Sequence, residues 1–120
     1  MPDDVPIQPE SAQHEHKANE VHLRVFEWDE EKWRLNLEKH KVDFYDAILI
    51  FENETEEASD EKREYGETRF NALGHVNDEF YMVTYTWRGE RRRIISAWKV
   101  GKDGQRRYRE KLAQRGAKEA

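Results

Sequence analysis

The sequence predicts an α+β domain in which two N-terminal helices and one C-terminal helix pack on an antiparallel sheet of about four strands. Three runs rich in β-branched and aromatic residues follow one another, separated only by short turns at 77–79 and 88–90. Such spacing is typical of an antiparallel meander. Segments with apolar residues at helical spacing stand before the meander and after it, and these predict the helices.

The first strand and the first helix are predicted at the start of the ordered chain. The run "LRVFEW" at 23–28 has the aromatic and β-branched content of a strand. Asp29 follows as an expected helix N-cap, and Glu30 and Glu31 lie in the first turn, where the helix dipole favours acids. This helix is expected to end at about His40.

Two stripes run along this helix. Trp33 and Leu37 are four residues apart and predict a core-facing stripe. Lys32, Asn36 and His40 have the same spacing and form a polar stripe. The polar stripe is either functional or the solvated side of the helix.

The segment after the first helix predicts a second helix and then a long loop. "FYDAILIFEN" at 44–53 is apolar with little alternation, and the spacing of Phe44, Ile48 and Phe51 favours a helix over a buried strand. Residues 52–67 hold eight acids and two bases, which predicts a loop. The remaining strands are expected at 68–75, 80–87 and 91–100, and a basic helix from about Lys102 carries Tyr108 and Leu112 on one side.

Composition predicts one domain of modest core size. The chain has 120 residues, of which 39% are charged and 36% hydrophobic. We expect a disordered arm at 1–22, a domain at 23–115 and a frayed terminus at 116–120. There are no cysteines, so disulfides are excluded, and the histidines of the arm form no preorganised metal site. Without a membrane-spanning run or an apolar leader, a cytoplasmic protein is expected.

Charge is distributed unevenly along the chain. Residues 1–87 hold nine Lys/Arg against 22 Asp/Glu, whereas residues 88–120 hold 12 Lys/Arg against four Asp/Glu. A basic end on an acidic body predicts either a site for a polyanion or a solvated basic helix. Charge alone does not decide between the two.

Three motifs resemble the BrnT family, whose members are toxins of type II toxin–antitoxin pairs. "WDEEKWRLNLEKHKVDF" is similar to the opening family pattern W-D-x-x-K-x-x-x-N-x-x-K-H-x-V-x-F. "EYGETRFNALG" resembles the Y-G-E-x-R motif and its following glycine, and "RGERRRIISAW" resembles a turn followed by R-I-I-S-A-R. The first motif is filled by Trp28, Asp29, Lys32, Asn36, Lys39, His40, Val42 and Phe44.

The resemblance implies a RelE-like fold and a metal-independent endoribonuclease that uses no cofactor, cleaves RNA and arrests growth. It also implies a BrnA-like antitoxin that neutralises the toxin. The expected complex is a heterotetramer built on an antitoxin dimer, and operator DNA is expected to be bound only through the antitoxin.

Metal-free RNA cleavage requires groups that move protons from and to the reacting oxygens and groups that stabilise charge on the phosphorus. Arginine suits the second task because its planar fork matches phosphate oxygens. The expected catalytic residues are Arg69, Arg93, Glu67, His40 and Tyr108. The expected RNA-binding residues are Arg91, Arg92, Lys99, Trp98, Arg106 and Arg107.

Structural roles remain open for two of the catalytic candidates. His40 can simply close the first helix, where an imidazolium suits the dipole. Glu67 can form a salt bridge with Arg69 across one residue of strand. Alternation along a regular strand places Arg91 and Arg93 on one side and Arg92 on the other, with Ile94, Ser96 and Trp98 following Arg92. Parity alone therefore assigns no clean arginine face.

Two positions depart from the family pattern. Trp98 stands where the family usually has arginine, and Gly104 where it usually has glutamate. The segment "GKDG" at 101–104 is also expected to make the start of the last helix looser than usual. These departures motivate an alternative, a catalytically weakened homologue that acts as an RNA- or antitoxin-binding module. A third reading is a DNA-binding corepressor that uses the basic C-terminal helix on phosphates.

Overall fold

A five-stranded mixed sheet forms the centre of the molecule, with strand order β1-β5-β4-β3-β2. The computed structural model describes residues 25–60 and 66–119, with side chains up to Gly116. The strands are β1 Phe26–Trp28, β2 Glu56–Asp60, β3 Arg69–Val76, β4 Glu79–Arg88 and β5 Arg91–Lys99. The helices are α1 Glu30–His40, α2 Phe44–Ala47 and α3 Lys102–Glu119, and a 3₁₀ helix Ile48–Glu52 directly follows α2. The arm expected at 1–22 lies outside the described residues.

The prediction of an antiparallel sheet of about four strands is wrong in both number and direction. β1 pairs in parallel with β5, so the sheet is mixed. The fifth strand, β2, lies inside the acidic segment expected to be a loop and pairs antiparallel with β3. β2 has little β-forming composition, and its pairing comes from β3 and from the contacts of its acids described below. None of the helices in the described part of the chain is long and apolar enough to span a membrane.

The predicted meander of β3, β4 and β5 is confirmed. Val76 pairs with Glu79 and Arg88 with Arg91, so each hairpin turn contains two residues. Asn77 begins the first turn at φ 55° and Gly89 begins the second at φ 61°. Asparagine and glycine tolerate this left-handed region better than other residues, which makes both turns favourable at these positions.

A β-bulge in β5 determines which side of the sheet each of its residues faces. Thr84 pairs with Ser96 and Tyr85 with Ile94, so Ile95 is an extra residue on β5. The alternation expected for a regular strand therefore fails after Ile94. One side of β5 presents Arg92, Ile94, Ala97 and Lys99, and the other presents Arg91, Arg93, Ser96 and Trp98.

The main core lies between one side of the sheet and the segment 42–51. Phe44, Ala47, Ile48 and Ile50 are fully buried, which confirms the predicted helix at 44–53 as α2 plus the 3₁₀ helix. Gly74 of β3 permits this packing, because a Cβ there would lie 2.9 Å from Ile50 Cβ. The sheet contributes Phe26, Ala72, Tyr81, Val83, Tyr85, Ile94 and Ala97 to this core.

A smaller cluster joins α3 to the opposite side of the sheet. Leu73, Phe80 and Tyr108 are its buried members. Gly104 is buried where α3 meets the end of β5, and a Cβ on it would lie 2.2 Å from Val100 Cγ1. Gly104 therefore allows a close approach between Val100 and α3, which begins at Lys102. α3 includes residues 116–119, which belong to the segment expected to be a frayed terminus.

α1 begins and ends as expected. Asp29 caps it by accepting a hydrogen bond from the Lys32 N–H at 3.1 Å. The stripe of Trp33 and Leu37 is half-buried, and the Trp33 indole donates to Asp43 at 2.9 Å. The polar stripe, however, contains the one buried residue of α1, Asn36, which is 5% exposed.

Two acids of β2, Glu56 and Glu57, have partners on other elements. Arg115 of α3 donates to Glu56 at 2.5 Å and to the Thr55 carbonyl at 3.2 Å. On the other side of β2, Glu57 accepts a hydrogen bond from the Tyr85 hydroxyl at 2.5 Å. These contacts fix the acidic strand at the edge of the sheet.

Candidate nucleic-acid interface

One side of the sheet carries a row of charged and polar side chains from all five strands. Glu27 pairs with Arg93, Arg93 pairs with Thr86, and Asp60 pairs with Arg69. Arg69 precedes Phe70, the partner of Tyr85, and so continues the row beside Thr86. We call Glu27, Arg93, Thr86, Arg69 and Asp60 the polar row.

Both arginines of the polar row are held by carboxylates. Arg93 donates to Glu27 at 2.7 Å, and the Nε of Arg69 donates to Glu67 at 3.3 Å. The two arginine side chains are 27% and 21% exposed, so each remains open to solvent on one side. Adjacent strands lie about 4.8 Å apart, which places Arg93 and Arg69 about 10 Å apart across Thr86. Side chains of that length can converge on a single phosphate group.

Arg91 lies on the same side of the sheet, at the tip of the β4–β5 hairpin. It pairs with Arg88, and both are exposed. The tip therefore adds positive charge next to the polar row. Like charges facing each other across a hairpin repel, and an anion bound between them relieves that repulsion.

Short uncharged side chains form a floor beside the polar row. The next row across the sheet consists of Ser96, Thr84, Asn71 and Ala58. The Thr84 hydroxyl donates to the Asn71 side chain at 2.6 Å. Because these residues are small, the floor leaves room for a ligand between the polar row and α3.

α3 supplies the opposite wall of this floor. Arg107 and Lys111 line a cleft of about 300 Å³ together with Asn71 and Met82 of the sheet. Arg107 thus lies beside the floor, and Glu56 and Glu57 of β2 line the same cleft. Arg106 is exposed on α3 and pairs with Asp103 at 3.3 Å.

Tyr108 is buried rather than presented to solvent. It is 3% exposed, its hydroxyl donates to the Glu54 carbonyl at 2.6 Å, and its ring packs edge-on against Phe80. Burial raises the pKa of Tyr108, with Glu54 acting in the same direction. The phenol therefore faces the junction of α3 with the segment before β2, away from the polar row.

His40 and Trp98 form a separate group. Their rings lie 5.9 Å apart at the C-terminal end of α1. Trp98 lies five positions after Arg93 along β5, across the bulge, which corresponds to about 15 Å of strand. The structure therefore places Arg69 and Arg93 in the polar row with Glu67 beside it, His40 at the end of α1, and Tyr108 in the buried cluster under α3.

Two further RNA-binding candidates lie on the core side of the sheet. The Arg92 guanidinium is stacked over Phe51 at 4.1 Å and over Trp87 at 4.7 Å. Its nearest carboxylate is Glu57, 3.9 Å away. Lys99 pairs with Tyr81 in register and forms an ion pair with Glu79 at 3.3 Å. Neither cation faces the polar row.

Sequence reasoning overlooked Glu27 and Lys111. Glu27 lies in the short first strand, and only the parallel pairing of β1 with β5 brings it to Arg93. Lys111 lies one helical turn after Arg107, a spacing that does signal a shared helix face. Among residues 25–60 and 66–119, no group of three His, Cys, Asp or Glu side chains is arranged to hold a metal ion.

Comparison with known proteins identifies the family. A family model described as the ribonuclease toxin BrnT of a type II toxin–antitoxin system matches residues 28–103. The chain belongs to the BrnT family. The match spans both arginines of the polar row, Glu67, α1 and the start of α3. BrnT proteins are ribonuclease toxins, so membership implies an RNA target and an antitoxin partner.

A solved BrnT structure has a similar fold. The crystal structure of the Brucella abortus ribonuclease toxin BrnT matches with a TM-score of 0.53 and 24% sequence identity. The match covers 64% of this chain and 96% of the Brucella chain. None of the curated proteins compared with the chain matches it.

Proposed function

We propose that this chain is an active BrnT toxin that cleaves RNA without a metal, at the polar row. The observation that carries the proposal is the placement of Arg93 and Arg69 on one side of the sheet, two strands apart, with a carboxylate beside each. Arginine pairs of this kind suit a phosphate whose negative charge increases in the transition state.

The reaction uses the 2′-hydroxyl next to the scissile phosphate. Its oxygen attacks phosphorus while its proton passes to Glu67, which lies beside Arg69. The bond from phosphorus to the 5′-oxygen breaks, and that oxygen leaves with a proton from water. The products are a 2′,3′-cyclic phosphate and a 5′-hydroxyl. Arg69 and Arg93 stabilise the charge on the phosphorane.

Cleavage of single-stranded RNA in excess chelator tests this proposal. We expect the purified chain to cleave, and Arg93→Gln or Arg69→Gln to lower the rate by about 10²–10³, as for the loss of one preorganised donor. Arg34→Gln is the matched control, because it removes an exposed arginine whose partner, Glu31, lies on the same helix. Intact RNA at enzyme excess, or equal rates for all three variants, would contradict the proposal.

Trp98 favours a second candidate, a homologue that binds RNA or antitoxin but cleaves weakly. It lies on the same side of β5 as Arg93, where an arginine would add positive charge near the polar row. The tryptophan adds no charge there, and its ring packs on His40. RNA binding without cleavage in the same assay would support this candidate.

We further infer that the fold is RelE-like, that the protein acts in the cytoplasm and that a BrnA-like antitoxin neutralises it. The expected complex contains two toxin chains on an antitoxin dimer and binds operator DNA only through the antitoxin. Co-expression with the antitoxin encoded beside the toxin, followed by light scattering and operator binding, tests this. Operator binding by the toxin alone would instead support the corepressor reading.

A further inference from the structure

A second cleft lies between α1 and the edge of β5. We call it the α1 cleft; it has a volume of about 480 Å³, and α1 forms one wall of it. Lys32, Lys39 and His40 line this wall, and Ile95 and Ser96 of β5 line the opposite wall. The cleft is distinct from the polar row, whose residues do not line it.

Sheet topology explains why the cleft exists. β1 covers the edge of β5 only from Arg92 to Ile94. Further along, Asn36 of α1 covers the edge at Ala97 through two hydrogen bonds to its backbone. Ile95, the extra residue of the bulge, lies between these two covers. The gap left there is the α1 cleft.

Two lysines and one acid, Glu38, line the α1 cleft, so its charged lining is positive by one unit. Lys32 and Lys39 are exposed and seven residues apart, so both project from the same side of α1. Neither lysine has an ion pair with a described acid, unlike Arg34 on the same helix, which pairs with Glu31 at 2.8 Å. Unpaired lysines are available as point charges for phosphate.

The α1 cleft adjoins the floor beside the polar row. Ser96 belongs to that floor, where it pairs with Thr84, and it also lines the cleft. Trp98, on the same side of β5 as Ser96, packs against His40 of the cleft wall. An RNA strand that crosses the floor from the polar row would therefore pass over Ser96 and reach the α1 cleft.

We propose that the α1 cleft binds the phosphates of the RNA strand that flanks the scissile bond. Lys32 and Lys39 contact these phosphates, and the ring pair of His40 and Trp98 gives a flanking base an aromatic surface. This inference rests on the proposed function and deepens it, because it assigns His40 to binding and extends the site by about 15 Å along β5.

Binding of an uncleavable RNA tests the inference. The probe is a labelled single strand of about 12 nucleotides with 2′-O-methyl groups throughout, long enough to cross the floor. For Lys32→Gln with Lys39→Gln we expect about tenfold weaker binding, and a salt slope smaller by about 1.4 because two single-strand phosphate contacts are lost. Arg34→Gln with Lys102→Gln removes the same charge away from the cleft and is expected to keep the wild-type slope.

The outcomes separate this inference from the proposed function. Cleavage of a dinucleotide, which is too short to reach the cleft, should be equal in the wild type and in the double lysine variant. If the wild type cleaves no RNA but the salt slope of RNA binding is still smaller in the double lysine variant, the proposed function fails and the cleft assignment stands. The cleft assignment is overturned if the double lysine variant keeps the wild-type salt slope and cleaves RNA normally. It is also overturned if the variant loses only its binding to the antitoxin.

Discussion

Asn36 and Ala97 are joined by two hydrogen bonds that replace a missing strand. The Asn36 amide donates to the Ala97 carbonyl at 2.8 Å, and its oxygen accepts from the Ala97 N–H at 3.1 Å. The same amide also donates to the Val42 carbonyl at 3.0 Å. One side chain therefore satisfies the β5 edge and ties α1 to the chain that follows it, away from water.

Asn36→Ala is expected to destabilise the protein by about 3 kcal/mol, because it leaves buried backbone groups of Ala97 and Val42 without partners. Urea unfolding measures the change. Leu35→Ala is the control on the same helix, since Leu35 is 52% exposed and its loss should cost less than about 0.5 kcal/mol. Similar costs for the two variants would show that the amide contacts contribute little.

Gly104→Ala is expected to cost about 1–3 kcal/mol, because its Cβ would collide with Val100. Glutamate, which resemblance to the family leads one to expect there, should be at least as costly. Gly116→Ala provides the control in the same helix: a Cβ there meets nothing, and the substitution should stabilise by about 0.5–1 kcal/mol. Truncating Val100 to alanine should relieve most of the Gly104→Ala cost; no relief would refute the collision.

Local patterns predicted the elements of the fold where residue type and spacing agree. α1 with its Asp29 cap, the apolar 44–53 segment and the meander all follow from such signals. β2 did not, because "EEASD" has the composition of a loop and pairs only through its neighbours. The parallel pairing of β1 and the bulge at Ile95 depend on contacts between distant segments, which no local pattern records.

The candidate site was predictable in residue type but not in arrangement. Charge patterning indicated basic residues near β5, yet it could not separate Arg92, stacked on Phe51, from Arg93, paired with Glu27. Tyr108 is buried and does not face the polar row. Glu27 is identified as a neighbour of Arg93 only by the pairing of β1 with β5. Position across the sheet decides these roles, and it requires the tertiary structure.

Trp98→Arg is expected to raise the cleavage rate by about tenfold, because it adds a cation to the side of β5 that carries Arg93. The gain should appear in the rate of a single turnover at saturating RNA. Trp98→Gln, which loses the ring contact with His40 without adding charge, separates the two effects. Equal rates for the two variants would rule out a missing phosphate contact at this position.

Alkaline pH is expected to destabilise the protein through buried tyrosines. Burial raises the pKa of Tyr81, Tyr85 and Tyr108, and the hydrogen bond to Glu57 adds to the rise at Tyr85. Their contribution is fully present below about pH 10, the unfolded value, and is lost as the pH rises through the folded pKa values. Urea unfolding at increasing pH, combined with tyrosinate absorbance, measures the loss.

Tyr85→Phe is the matched test of this pH dependence, because it removes one of the three phenols and keeps the ring. Its stability should fall less steeply above about pH 10 than that of the wild type. A flat profile in the wild type, with tyrosinate appearing in the folded state, would show that these phenols ionise freely.

The central claim, cleavage through the 2′-hydroxyl at the polar row, is tested most directly by the ends of the products. Two RNA strands of one sequence, with free or methylated 2′-oxygens, are incubated with the protein in chelator, and the fragments are analysed by mass spectrometry. We predict fragments with 2′,3′-cyclic phosphate and 5′-hydroxyl ends from the first strand and none from the second. Cleavage of the methylated strand, or fragments with 5′-phosphate ends, would contradict the claim.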